Sequence, residues 1–495
     1  MVNFDSLNDA YDAIIIGAGI GGLNCAASLS LVDKKVLVLE KNAFIGGRCS
    51  SYQKDGYTVD YCIHVFANGE DGPLHQLLRK SQRYFKTPLI TWKRVGAKLY
   101  YKNSAIQVNS PLNFTHFWNY FKSGWNFLTF KAPMKEKMDF FKVTQKIIRF
   151  PPSKLDEIAN LTVKEFINQY STRDMVHNIY STLSASYSVV PYSKSAAKDF
   201  LAVCKNTLGG KGVSYPLGGA AALADAYQKI IEFKGGHVLT STPVSKILVE
   251  DVRGIQRTIG VKVGQNREIL ANCVISNVDL KTTCNKLLDP STLDPQYMET
   301  INALEQSDST TVVHLALDKK LIKDKFVVKA QTQRAEFVLE QREKGTVGTG
   351  DGCFITVPSN IDPSLAPPGK QLILGGQSSL YEQEPIKDDI AAVMLEIIGE
   401  LVKLNIKLTD HIEWMDVIGP KGLNDLFGET GATVGLAQKI GQIREDRPDS
   451  RSPLSGLYYC GDDSGIGLFG VGTEIAAKSG QQCAQYVIED SFLIE

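Results

Sequence analysis

The run from Tyr11 to Arg48 leaves the chain little freedom in how it folds. Ala13–Ile16 is a short apolar, mostly β-branched run suited to a buried parallel strand, and it feeds directly into Gly17, Gly19 and Gly22 at GxGxxG spacing. The first glycine permits the tight turn, the second lets a pyrophosphate approach the backbone, and the third lets helix pack on strand. Leu23–Leu31 has the small and apolar content of the helix that follows, and its free N–H groups and positive dipole end would face that pyrophosphate. A second strand, Lys35–Leu39, ends at Glu40, placed where the ribose hydroxyls of an adenine dinucleotide would arrive. A bare GxGxxG also occurs in turns that bind nothing. Strand, turn, helix, strand and acid in order make this one a dinucleotide site.

A chain of 495 residues is too long for one hydrophobic core, so two or three domains are expected. The formal net charge is zero, which gives no global case for nucleic acid. Nine dispersed cysteines contain no CxxC pair and no metal-ligand spacing. Reduced thiols are expected, with no metal and no dithiol redox centre. The opening MVNFDSLNDA is acidic and polar rather than signal-like, and no stretch of eighteen apolar residues occurs. A cytoplasmic protein is expected, with any membrane contact made from the surface.

Beyond Glu40, Gly46, Gly47 and Arg48 offer close backbone approach and a guanidinium for phosphate, although an ordinary turn would read the same. Ser51–Tyr61 reads as a hairpin turning at Lys54–Asp55–Gly56. From this point the chain resembles a family. The glycine motif with its glutamate, then GGR, then GYTVDYCIH is similar to the flavoproteins that include phytoene desaturases, carotenoid isomerases and retinol saturases, and more distantly amine oxidases. The resemblance implies FAD as the dinucleotide, with Arg48 on its pyrophosphate. Where that family has glycine two residues after the aspartate, this chain has Cys62 after Asp60. His64, just past the motif, is a candidate for proton transfer or a histidine packed near the cofactor.

Residues 79–150 carry fifteen Lys or Arg against two acids, Glu136 and Asp139. Between Phe114 and Phe141 lies a dense run of aromatics: Phe114, Phe117, Trp118, Tyr120, Phe121, Trp125, Phe127, Phe130, Phe140 and Phe141. Basic groups interleaved with large rings suit the headgroup layer of an anionic membrane. A helical core with a basic outer face, or a cavity lining, reads the same. Related desaturases take lipid-soluble substrates through a helical region inserted here, which the resemblance extends to this chain.

Helices continue with short breaks from Leu155 to Lys205. A helix is expected over Ala220–Phe233, and strands over His237–Thr240, Val244–Glu250, Arg257–Val263 and Cys273–Ser276. In the similar flavoproteins a valine, here Val244, meets the adenine through its backbone. Thr310–Leu317, Gly352–Val357 and Gln371–Gly375 read as strands of a substrate-facing sheet, and Asp388–Leu404 as an amphipathic helix. No second GxGxxG occurs, so a built-in NAD(P)H site is not expected. Pro420–Gly435, Arg447–Pro448, Gly456–Asp463 and Gly470–Thr473 match the family's closing FAD segment in order and spacing. A strand over Leu457–Cys460 delivers Gly461 and Asp462 to a polyol chain, and the loop Gly470, Val471, Gly472, Thr473 opens a last helix over Glu474–Ile488. Cys460 there is either reactive or a small packed residue.

The expected architecture is therefore α/β: a Rossmann-like, glutathione reductase-type FAD-binding domain, an α+β substrate domain and a helical insertion. Residues 8–78, 213–300 and 410–495 are expected to form the discontinuous FAD domain, 79–212 the basic, aromatic-rich helical membrane and substrate-entry region, and 301–409 the sheet and helix of the substrate domain. The function implied is an FAD-dependent oxidoreductase acting on carbon–carbon bonds of an isoprenoid or carotenoid-like lipid, as desaturase, saturase or isomerase, peripheral to an anionic membrane. An amine oxidase is the alternative, with Phe469 as a flavin-flanking aromatic. A non-catalytic flavin-bound membrane scaffold is another.

Overall fold

The structure, a computed structural model, describes residues 10–102, 104–108, 131–208, 212–252, 254–264, 266–344, 352–402, 406–428 and 431–491. Its first sheet is built on the opening motif. Ala10–Ile16 lies parallel between Val36–Leu39 and Arg267–Ser276, with Ile14 opposite both Leu37 and Val274. His237–Leu239 extends the sheet beyond Val36–Leu39. On its other edge Arg267–Ser276 pairs twice, with antiparallel Ile255–Val263 over its first half and with parallel Leu457–Tyr459 over its last three residues. The carboxyl ends of these parallel strands, from three distant parts of the chain, thus converge on one crevice, where open α/β sheets bind ligands.

The opening helix, Ile20–Ser30, is buried on all sides, which its glycines, alanines and Cys25 permit. It is packed between the sheet, the helix Ala221–Phe233 and the closing helix Thr473–Ser491. The closing helix approaches so near that a Cβ at Gly480 would stand 2.4 Å from the Gly21 carbonyl oxygen. First and last helices are therefore fitted to each other at backbone distance.

A second sheet runs in the order Ile412–Ile418, Ser309–Leu317, Gln371–Ser379, Cys353–Thr356, Phe326–Lys329, Ala97–Tyr101, Ser104–Val108. Alternation sorts its central strand. Val313, Leu315 and Leu317 join Met394 and Ile398 of the helix Lys387–Leu401 on one face, while Ala316 meets Tyr57 and Val59 of the Ser51–Asp60 hairpin on the other. Each fully buried aliphatic side chain there contributes about 1.5–3 kcal/mol.

Two expected boundaries are corrected. Residues 410–495 were assigned to the nucleotide domain, but Ile412–Ile418 pairs antiparallel with Ser309–Leu317 in the second sheet. Its alternation of half-buried residues with exposed Glu413 and Met415 marks an edge strand rather than a core one. The region 79–212 was expected to be helical, yet Trp92–Val95, Ala97–Tyr101 and Ser104–Val108 are strands. Buried Leu99 and Tyr101 alternate with Lys98 and Tyr100 there, a period-two signal hidden by the density of positive charge. Helices Met134–Arg149, Val163–Asn168, Asp174–Tyr187 and Ala197–Leu208 follow. Of the ten aromatics, Phe114, Phe117, Trp118, Tyr120, Phe121, Trp125, Phe127 and Phe130 lie outside the described residues. Phe140 packs beside Tyr180, whereas Phe141 is exposed.

Candidate active site

A cavity of about 550 Å³ opens at the converging strand ends. Gly17, Gly19, Glu40, Gly46, Gly47 and Arg48 form one wall, and Gly461, Asp462, Val471, Gly472 and Thr473 face it, with Val244 at the edge. Gly22 and Gly470 do not line it. Gly22 instead sits at the helix–strand contact: its amide donates to Asn277 Oδ1 at 2.8 Å, and a Cβ there would stand 2.3 Å from the Gly17 carbonyl oxygen. Gly470 packs against the Glu474 side chain.

Asn277 is the residue that sequence reading missed. Its Nδ2 donates to the Cys460 carbonyl at 3.0 Å while its Oδ1 accepts from Gly22, so one amide ties the opening motif, the long middle strand and the closing segment together. The one local signal is an asparagine directly after a buried strand.

Glu40 is buried, and its two oxygens accept the Ala18 and Asn42 amides at 2.8 and 2.9 Å. Burial raises its pKa, and these amides pull it part of the way back. Arg48 Nη2 spans both oxygens of Asp462, at 2.8 and 2.6 Å, and Nη1 donates to the Ala432 carbonyl. Burial disfavours the Arg48 charge, but Asp462 and Asp463 outweigh it and the guanidinium stays ionised. Asp463, behind this pair, is pushed up to about 6 by burial and by Asp462.

His64 lines the cavity stacked on Phe66, ring centroids 5.4 Å apart. Its Nδ1 lies 3.0 Å from the Cys62 carbonyl, which can only accept, so Nδ1 carries the proton and Nε2 the lone pair. Burial lowers its pKa, leaving a neutral imidazole. Cys62 stands in the wall with its thiol pushed up to about 12, chiefly by burial. Asp60 does not line the cavity. It accepts from Ser51 Oγ, the Ala220 amide and Tyr215 OH, pinning the hairpin to the helix Ala221–Phe233.

Phe469 is corrected: it does not line the cavity. Its ring lies between two cations, 4.6 Å from the Arg444 guanidinium and 4.3 Å from Lys478 Nζ, and its carbonyl accepts from Lys478. These contacts hold the ring away from the lining of the cavity. Cys460 lines the wall beside Gly461, buried like all nine cysteines, none of which is in a disulfide.

The family profile of the flavin containing amine oxidoreductases matches residues 20–488. The chain belongs to that family. It is 26% identical to a prolycopene isomerase of an Oncidium hybrid cultivar, over 97% of this chain and 84% of that one. It is 24% identical to an all-trans-retinol 13,14-reductase of Danio rerio (91% and 82%) and 23% identical to a phytoene desaturase of Fusarium fujikuroi (97% and 89%). A crystal structure of an oxidoreductase from Methanosarcina mazei shares the fold at a TM-score of 0.70 and 20% identity, covering 96% of this chain and 99% of that one. Within its family the chain is thus of the phytoene desaturase, carotenoid isomerase and retinol saturase type, and it is an FAD-dependent oxidoreductase.

The residues present fit FAD. The opening helix has Gly19 as N-cap, no side-chain cap and no acid in its first turn, so an anionic pyrophosphate meets N–H groups and no competing carboxylate. Gly17, Gly19 and Gly47 leave the wall open to backbone approach. Glu40, Arg48 and Asp462 line the same cavity and would be the groups to hold ribose, phosphate and polyol oxygens. When bound, FAD supplies the hydride-transfer chemistry; the chain supplies position and a dry wall.

Proposed function

We propose that the protein acts on carbon–carbon bonds of an isoprenoid lipid, by desaturation, saturation or isomerisation. The observation that carries this reading is the continuity of the cavity. Beyond the cofactor loops its wall runs along Tyr187, Val203, Val338, Leu339 and Phe354, an apolar chamber suited to a hydrocarbon chain. Among the described residues, His64 is the only histidine in the wall and is neutral, and the Cys62 thiol is far from ionising at neutral pH. Hydride transfer between an isoprenoid carbon and a bound flavin would need orientation and exclusion of water more than a protein nucleophile, and the apolar part of the wall supports that reading.

The position of Phe469 outside the cavity lining weakens the amine oxidase reading. The substrate would be drawn from an anionic membrane surface. The helix Met134–Arg149 supports this: Met134, Met138 and Phe141 recur along one exposed face, flanked by Lys135, Lys142 and Lys146. Among the described residues no helix is long and apolar enough to cross a membrane.

The test is anaerobic incubation of the FAD-loaded protein with extracted isoprenoids and, separately, with amines, followed by visible absorption and product analysis. Isoprenoid conversion without amine conversion is expected. Bleaching by amines alone would reverse the assignment.

A further inference from the structure

One part of the chamber does not match a pure hydrocarbon. Arg342, on the helix Ala335–Glu343, lines the cavity next to Val338 and Leu339 with its side chain only 11% exposed. It is held by an ion pair to Asp308, itself 14% exposed and outside the wall, and by Nη1 to Ser378 Oγ at 3.4 Å. Ser378 Oγ in turn donates to Asp308 at 3.2 Å. Gln377 and Ser378 line the cavity beside it.

A buried ion pair is costly to desolvate and seldom adds net stability, so one set into an apolar chamber calls for a use. Among the described residues, two contacts engage Arg342, fewer than the N–H donors a guanidinium carries. Any donor facing a hydrocarbon would be left unsatisfied. The group that resolves this is an acceptor oxygen on the substrate. Because Asp308 already neutralises Arg342, the site offers a hydrogen bond without net positive charge, which suits a neutral oxygen better than a carboxylate.

The position also bears on the reaction. The Asp308 carbonyl accepts from the Thr433 amide at 3.1 Å, and Thr433 and Val434 line the cavity with Gly472 of the closing FAD loop. The ion pair is therefore one loop removed from the cofactor wall.

We propose that the substrate is an oxygenated isoprenoid, bearing a hydroxyl or carbonyl group that Arg342 binds, rather than a plain hydrocarbon. This rests on the isoprenoid reading above and narrows it.

The test uses the FAD-loaded full chain and three chain-matched probes: all-trans-geranylgeraniol, the same hydrocarbon lacking the hydroxyl, and geranylgeranoic acid. Binding is read from the change in visible absorption, with equilibrium dialysis as a check. The alcohol should bind at least about tenfold more tightly than the hydrocarbon, the scale of a hydrogen bond to a charged group, and more tightly than the acid. Arg342→Met should bring the ratio of alcohol to hydrocarbon affinity to near one. Since that change leaves Asp308 buried without its cation, the paired variant Arg342→Met with Asp308→Asn provides a neutral control that should show the same loss of ratio. A merely structural role would weaken alcohol and hydrocarbon together and keep the ratio, which overturns the proposal. Equal binding of alcohol and hydrocarbon by the unaltered protein, or tightest binding of the acid, would also overturn it while leaving the isoprenoid reading intact. Binding of none of the three would overturn both.

Discussion

The two ends of the cavity are built on opposite plans. The cofactor end is largely backbone: glycines, helix N-termini and strand ends drawn from three distant segments and locked by Asn277, with Glu40, Arg48 and Asp462 among its charged side chains. The substrate end is side chain: Val338, Leu339, Phe354 and Tyr187, with Arg342 as its charged member. A ligand common to a whole family can be held by backbone geometry that tolerates no Cβ. A ligand that differs between relatives is selected by side chains, which change without disturbing the fold.

The strongest test of this contrast compares two glycines. A side chain at Gly22 would strike the Gly17 carbonyl and the Asn277 side chain, so Gly22→Val should destabilise by about 3 kcal/mol or more and yield protein that does not retain FAD. Gly375, in the second sheet, meets only ordinary contacts at 3.5 Å or beyond, so Gly375→Ala should cost less than about 1 kcal/mol in thermal or urea unfolding. Comparable losses at the two sites would break the contrast.

Next in size is the Arg48–Asp462 pair. Asp462→Ala should weaken FAD retention by about tenfold to a hundredfold, read as the flavin-to-protein absorbance ratio after dialysis. Leu339→Ala should leave that ratio unchanged. The membrane face should separate in the same way: Met138→Glu with Phe141→Glu should abolish flotation with anionic liposomes at low salt without altering flavin content. Flotation of the unaltered protein should weaken as salt is raised.

The smallest effect is in pH, where the two ends should pull in opposite directions. Asp463 at the cofactor end is raised from 3.8 to about 6, chiefly by burial, so its contribution to stability is full below about pH 4 and is lost as pH rises through 6. His314, on the strand Ser309–Leu317 of the second sheet with its Nε2 near the Tyr61 carbonyl and its Nδ1 near Tyr52 OH, is lowered from 6.5 to about 4, again chiefly by burial. Its contribution is present above about 6.5 and is lost as pH falls toward 4. Melting temperature followed between pH 4 and 6.5 should therefore fall less with rising pH in Asp463→Asn than in the unaltered protein, and rise less in His314→Asn. Shifts of the same sign in both variants would contradict these assignments.

The cofactor end was readable from sequence because its signals are local. Gly17, Gly19 and Glu40 announce themselves within a few residues of their strands, and Gly461–Asp462 does the same at the far end. What escaped was set by tertiary pairing. Asn277 acquires its role only when Gly22 and Cys460 are brought beside it, and Arg342 means nothing until Asp308 and the chamber surround it. Ile412–Ile418 was placed in the wrong domain because an edge strand with alternating exposure carries no mark of which sheet it joins. Phe469 was misjudged for a related reason: its distance from the closing motif is right for a flavin neighbour, but Arg444 and Lys478, which decide where the ring lies, are set by packing.

The central claim is that the backbone-built end and the apolar end serve one reaction, on a carbon–carbon bond. It is tested most directly by product mass after incubating the FAD-loaded protein with a chain-matched isoprenoid. The account predicts a product that keeps the carbon skeleton and differs by a pair of hydrogens, or is an isomer of equal mass, with no nitrogen released. Ammonia and an aldehyde from an amine, with every isoprenoid recovered unchanged, would contradict it.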